Sequence, residues 1–367
     1  MSPVYRRARL LPVAILAGSA LVLSACAGQE EPEPAAPPAA EPQETVPEIE
    51  TIDVLASFYP LQYVVEQVGG EAVSVGAMTP PGIDPHDLEL SPRQVREIGE
   101  AEAVVYLSGF QPAVDDAVET RAPAHVLDVA TTEAVAAHMD PEDDDHGHDD
   151  DHGHDDEHGH EDDDHGHSHD DDHGHDDGHG HEDDDHGHGH SHDHDHGDDP
   201  HFWLDPTLMA AVGHDVAELL AQADPDRAED YRARAEALAA DMDQLDQDFA
   251  EGLADCERRT VVAAHEAYGF LAERYDLEQV GISGLDPEAE PSPARLREIR
   301  EVVTERGVTT IFTEDLINPR VAEVLAADLD VTTEVLHPLE TEVDDGTDYR
   351  EGMEHNLEVL RTALDCA

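Results

Sequence analysis

The chain has 367 residues, with 89 acidic against 19 basic side chains and a formal net charge of −70. That length allows two domains of ordinary size. All the bases are arginines, and so negative a balance excludes nucleic acid as a natural partner, because phosphate contacts need cationic side chains.

At the N-terminus, Arg6, Arg7 and Arg9 precede an apolar run, Leu10 to Leu23, that is too short for a comfortable membrane span. Leu23-Ser24-Ala25-Cys26 follows, so residues 1–26 read as a signal whose end resembles the bacterial lipobox. Cys26 would then be lipidated and hold the protein on the outer face of the cell membrane. The plain alternative is an ordinary signal peptide with a chance cysteine. Residues 27–50, rich in Pro, Glu and Ala, read as an extended tether.

From residue 51 strands and helices alternate. IDVLASF (52–58), VSVGAM (73–78), AVVYLSG (103–109) and HVLDVA (125–130) are short apolar runs, hence buried strands. LQYVVEQVGG, SPRQVREIGEAE and QPAVDDAVET between them have helical spacing. This order predicts an α/β lobe with a mainly parallel sheet over 51–224. The lobe is interrupted by a tract of Asp, His and Gly over 140–199, which holds 28 acids and 19 histidines. Without it the chain still carries 61 acids against 19 bases. That remaining excess fits either a salt-tolerant host, as a solubility device, or the concentration of cations.

Two helices are expected after the tract, over 206–223 and 225–252. The second is long, free of internal Pro and about 42 Å in span, which suits a connecting strut (225–254). Alternation resumes over 255–367. TVVAAH, EQVGISGL, VTTIFTE and VTTEVLHPL read as strands. EAYGFLAERYDL, SPARLREIREVVTERG, NPRVAEVLAADLD and a last segment near 347–364 read as helices. The expected fold is α/β: two (β/α) lobes with mainly parallel sheets, joined by one long rigid helix. Beyond Cys26 the cysteines are Cys256 and Cys366. Outside the cytoplasm such a pair reads as a disulfide closing a loop of about 110 residues, worth about 4–5 kcal/mol; two free thiols are the alternative.

Four histidines share a setting. His86 lies in the loop GIDPHDLEL after a strand, and His201 in DPHFWLDP, where the tract ends. His265 and His337 close the strands TVVAAH and VTTEVLHPL. Ligands of α/β sheets bind beyond the carboxyl ends of strands, so two such lobes would bring these imidazoles to one cleft. His125, His138, His214 and His355 have no such setting and read as ordinary.

GIDPHDLELSPRQ, DPHFWLDP after an acidic, histidine-rich insertion, AAHEAYGFLAERY, FTEDLINPR and LHPLE together resemble the metal-specific solute-binding lipoproteins of bacterial ABC importers, the zinc branch of the cluster A family in particular. The resemblance covers nearly all of the chain after Cys26. It implies two lobes bridged by a rigid helix, with the metal between them, and ligands at His86, His201 and His265. The fourth position falls on His337, where the family more often has Asp, Glu or water. Glu314 in FTEDL would orient a ligand imidazole, or serve as fourth ligand itself. Three imidazoles favour Zn²⁺, whereas manganese prefers more oxygen ligands, and the manganese branch places a carboxylate where His265 stands.

The implied function is extracytoplasmic capture of zinc and its delivery to the membrane permease and ATPase of an importer, by a monomer and without catalysis. The alternatives are another divalent metal, a surface zinc buffer or adhesin, and, further off, a zinc hydrolase. No HExxH or GxSxG pattern supports the last of these. The tract, beginning with His146, His148, His152, His154, His158, His160, His165 and His167, cannot bury a core. It reads as an accessory site of weak zinc capture or sensing, or as a solvated spacer.

Overall fold

The computed structural model describes residues 51–139, 199–343 and 346–367. Cys26, the tether and the tract histidines lie outside them. Within the described residues the first lobe is built from β1 (Ile52–Ala56), α1 (Tyr59–Gly69), β2 (Val73–Ala77), α2 (Pro92–Glu100), β3 (Ala103–Tyr106), α3 (Pro112–Arg121), β4 (His125–Asp128) and α4 (Glu133–Met139). Two longer helices follow, α5 (Pro206–Ala223) and α6 (Ala228–Leu253). The second lobe has β5 (Thr260–Ala263), α7 (Gly269–Arg274), β6 (Glu278–Gly281), α8 (Pro293–Arg306), β7 (Thr310–Thr313), α9 (Arg320–Leu329), β8 (Thr332–Val335) and α10 (Tyr349–Leu364).

Both sheets are parallel and have the same strand order, β2-β1-β3-β4 and β6-β5-β7-β8. Helices cover their faces, so the inner strands need apolar residues on both sides. That is why AVVY and TVVA read as continuous runs rather than alternating ones. In each sheet the order reverses beside the first strand of the lobe. Such a switch point opens a crevice at the carboxyl ends of the strands.

Helix starts follow their caps. Ser91 and Gln94 form a capping box on α2, Asp205 caps α5, Ser292 caps α8, and Asp348 with Glu351 caps α10. The buried face of α6 is a single stripe: Tyr231, Ala235, Leu238, Met242, Leu245, Phe249 and Leu253, three or four residues apart. It packs on α5, closely enough that a Cβ on Gly213 would stand 2.9 Å from Leu238. One apolar core runs through both lobes, joining Phe58 and Val105 of the first, Leu220 and Phe249 of the long helices, and Val261 and Phe312 of the second. Smaller clusters lie on the outer faces of each sheet. Cys256 and Cys366 are joined by a disulfide that ties the chain end to the stretch just before β5.

The elements differ from the sequence expectation in three places. The short helix α4, before the tract, was not foreseen. The helix expected over 266–277 is reduced to Gly269–Arg274, because Glu266 N donates to Gly284 O and Tyr268 N to the Gln279 side chain, which holds 266–268 in a turn. The strands also stop earlier, so His265 and His337 each stand two residues beyond a strand end rather than closing it.

Candidate metal centre

Two copies of Asp-Pro-His build half of the site. In Asp84-Pro85-His86, the Asp84 carboxylate accepts from His86 N at 2.9 Å and Pro85 opens one 3-10 turn. This turn follows β2 and is anchored by buried Gln111, whose Nε2 donates to Thr79 Oγ1 (2.9 Å) and Pro85 O (3.2 Å). Phe110 meets the His86 ring edge-on, with centroids 4.8 Å apart. In Asp199-Pro200-His201, Asp199 again accepts the histidine N–H at 2.9 Å. The same oxygen also takes the ring, His201 Nδ1 lying 2.6 Å away.

The second lobe supplies His265, just past β5, and Glu340, past β8. His265 Nδ1 lies 2.7 Å from Oε1 of Glu314, the first residue past β7. Each of His201 and His265 therefore has its Nδ1 proton held by a carboxylate, which fixes the tautomer and leaves the Nε2 lone pair facing inward.

The Nε2 atoms converge on one oxygen, Glu340 Oε1: His201 at 3.1 Å, His86 and His265 at 3.5 Å each. The donor atoms of His86, His201, His265 and Glu340 all lie within 4.8 Å of one another. His201 and His265 are fully buried and Glu340 nearly so. The two 3.5 Å contacts are too long for good hydrogen bonds, and His86 Nε2 and His265 Nε2 are buried without one. Buried ring nitrogens left without a partner are costly unless something meets them. Ring centroids are 5.3 Å apart for His201–His265, 5.6 Å for His86–His201 and 6.0 Å for His86–His265. A tetrahedral ion with Zn–N bonds of about 2.1 Å would place them about 5.2 Å apart. The three rings thus surround a space of the size such an ion needs.

Electrostatics follow from the same contacts. Burial by itself would lower both buried imidazoles. Glu314 and Glu340 outweigh it at His265, which is pushed up to about 10, and Asp199 and Glu340 raise His201. Burial would raise Glu340, but the three facing imidazoles hold it well below the usual carboxylate range.

His337 is not brought into this group. Its ring lies against His355, and its Nδ1 is 3.4 Å from Asp315. Its main chain is clamped by buried Asn356, which accepts from His337 N (2.9 Å) and donates to His337 O (2.7 Å). Leu339 then turns through a left-handed conformation, φ 57°, and this reversal aims Glu340 at the imidazoles in place of His337. Trp203 Nε1 holds Pro338 O at 2.7 Å and Tyr268 OH holds Leu336 O at 2.7 Å, so the segment is tied down along its length. Sequence reasoning missed two residues of the site. Glu340 was in view as the last letter of LHPLE, and Asp199 was signalled by the repeated Asp-Pro-His.

Together the fold and the site define a class: a two-lobed α/β protein that gathers three imidazoles and a carboxylate around a metal-sized gap between its sheets. The chain belongs to the family of the zinc-uptake complex component A, periplasmic, whose profile matches residues 54–363. It is similar to the zinc-binding lipoprotein AdcA of Streptococcus pneumoniae (strain ATCC BAA-255 / R6), with 29% identity over 319 residues, which are 86% of this chain and 56% of AdcA. The chain thus spans little more than half the length of that relative. The high-affinity zinc uptake system protein ZnuA of Bacillus subtilis (strain 168) is 28% identical over 318 residues, 85% of this chain and 88% of ZnuA. Among solved structures, the Zn(II)-bound ZnuA-like domain of S. pneumoniae AdcA superposes with a TM-score of 0.62 at 25% identity, over 86% of this chain and 99% of that domain.

Proposed function

We propose that this protein captures Zn²⁺ outside the cytoplasm between its two lobes and hands it to the permease of an ABC importer. The observation that carries the reading is the convergence of three imidazole Nε2 atoms and one carboxylate, two of the nitrogens being buried with no hydrogen-bond partner. We assign the ligands as His86, His201, His265 and Glu340, with Glu314 and Asp199 orienting two of the rings. Three nitrogens and one oxygen suit zinc better than manganese. Four protein donors leave no open coordination position, so carriage fits this site better than hydrolysis.

Extracytoplasmic residence is supported by the family and by the Cys256–Cys366 disulfide, which persists in oxidising compartments. Among the described residues no helix is long and apolar enough to cross a membrane. Attachment through lipidated Cys26, a monomeric state, an ATPase-driven permease as partner and an accessory role for the His/Asp-rich tract remain part of this reading on sequence grounds.

The test is zinc calorimetry on the full chain, with His86→Ala and Glu340→Gln. One tight site should be lost in both variants while weaker uptake persists. Tight binding that survives both substitutions would place the cargo site elsewhere.

A further inference from the structure

Three of the four cluster residues are buried, and His86, though its side chain is 17% exposed, has its Nε2 buried, so an ion needs a way in to the donors. Two cavities flank the 314–317 segment. The larger, about 400 Å³, reaches Glu288, Glu290 and Glu314, but no member of the four-residue cluster lines it. The smaller, about 180 Å³, is walled on one side by Glu340 itself. Its other polar walls are Asp84, Glu314, Asp315, His337, Thr341 and Glu342, and there is no arginine among the described residues that line it. That volume is room for about six waters, enough for a cation still carrying part of its hydration shell.

An imidazole and a carboxylate among these lining residues stand together, the carboxylate reaching solvent. His337 Nδ1 is 3.4 Å from Asp315 Oδ2, with the Asp315 side chain 60% exposed and the His337 side chain 12%. The exposed ring of His355 lies 5.7 Å from that of His337, within the spacing of the rings in the metal centre. The donors of this group do not converge as the central four do, so it would hold an ion loosely. A passage needs a station of that kind, favourable enough to enter and weak enough to leave.

We propose that the cavity between His337 and Glu340 is the route by which the cation enters and leaves the buried centre, with Asp315 and His337 as a transient cation station at its mouth. This rests on the reading of the cluster as a cation site and adds the path to it. Walls in which carboxylates outnumber the single imidazole raise the local cation concentration and speed association. A station along a path lowers the barrier in both directions and leaves the end points unchanged. The Asn356 clamp uses only the main chain of His337, so the side chain can be removed without freeing Glu340.

The experiment is stopped-flow measurement of zinc association, and of zinc release to excess chromophoric chelator, on the full chain loaded with one equivalent. His337→Ala and Asp315→Asn are compared with Glu290→Gln, which removes a charge from the neighbouring cavity instead. Asp315 is exposed, so its variant does not threaten the fold. The expected result is that the first two variants slow association and release together, by about three- to tenfold, with Kd changed less than about twofold, and that Glu290→Gln leaves both rates alone. Unchanged rates, or equal slowing by Glu290→Gln, would overturn the route. Faster release with weaker Kd at constant association rate would make His337 a ligand and overturn it too. Absence of tight binding in the unaltered chain would instead strike the underlying site reading, and the route with it.

Discussion

At the scale of single residues, the site is a set of imidazoles whose charge state is set by carboxylates. His265 is raised to about 10 and His201 is raised as well, in each case against burial. A raised imidazole contributes stability that is fully present below its unfolded value of about 6.5 and is lost as pH climbs through the folded value. Glu340 is depressed, so its contribution is present above about 4.5 and is lost on acidification. The metal-free cluster should therefore stabilise the fold less as pH rises from 6.5 towards 10. Zinc does the reverse, because it needs neutral imidazoles and must displace those protons. Calorimetry at pH 7 in two buffers of different ionisation enthalpy should show a release of about one to two protons per ion, and affinity should rise from about pH 6 to 8. Binding without net proton release would contradict these charge states.

At the scale of elements, the segment between β8 and α10 decides the ligand set. Leu339 is held in a left-handed turn that costs on the order of 1–2 kcal/mol. It fits because α10 presents Gly352 opposite, where a Cβ would stand 2.6 Å from Leu339 Cδ2. Asn356, one turn further along α10, fixes His337 by its main chain. Replacing Asn356 by Leu would leave a buried N–H and C=O unmatched, and should cost about 2–4 kcal/mol in urea unfolding of the metal-free protein. Because Glu340 is three residues on, zinc affinity should fall as well. If stability dropped while the Kd held, Glu340 would be aimed by Trp203 and Tyr268 rather than by α10.

For the whole molecule, the shared core and the disulfide carry separate loads. The core passes through both lobes, so hinge motion between them is restricted in a way that a small polar interface would not impose. The Cys256–Cys366 bridge lies on the side of the second sheet where β5 begins, whereas the metal cluster stands beyond the strand ends. Cys256→Ser with Cys366→Ser should lower the unfolding free energy by about 4–5 kcal/mol, as the loop length implies, and leave zinc affinity unchanged. A weakened Kd in that double variant would mean that the C-terminal tie reaches the site through α10.

Much of this was legible from the residues alone. Apolar runs of four or five marked the strands, because parallel strands covered on both faces admit little else. Ser and Asp caps and Pro at first turns set helix starts close to where they stand. The setting at loops beyond strands or beside the tract pointed to His86, His201 and His265, and the resemblance agreed on them. The same setting pointed to His337 as the fourth member, and there it failed. His337 and Glu340 are three residues apart in one loop, and either chemistry can meet a metal. Which of them faces the imidazoles depends on the left-handed turn at Leu339, on the glycine in α10 that leaves room for it, and on the Asn356 clamp. Asp199 gains its role only when the ring of His201 folds back over it. Local pattern determined the elements, because periodicity and capping act over a few residues, and together with the resemblance it pointed to three imidazoles. Only the tertiary structure decided the fourth donor and the way into the site, because both depend on contacts between segments far apart in the chain.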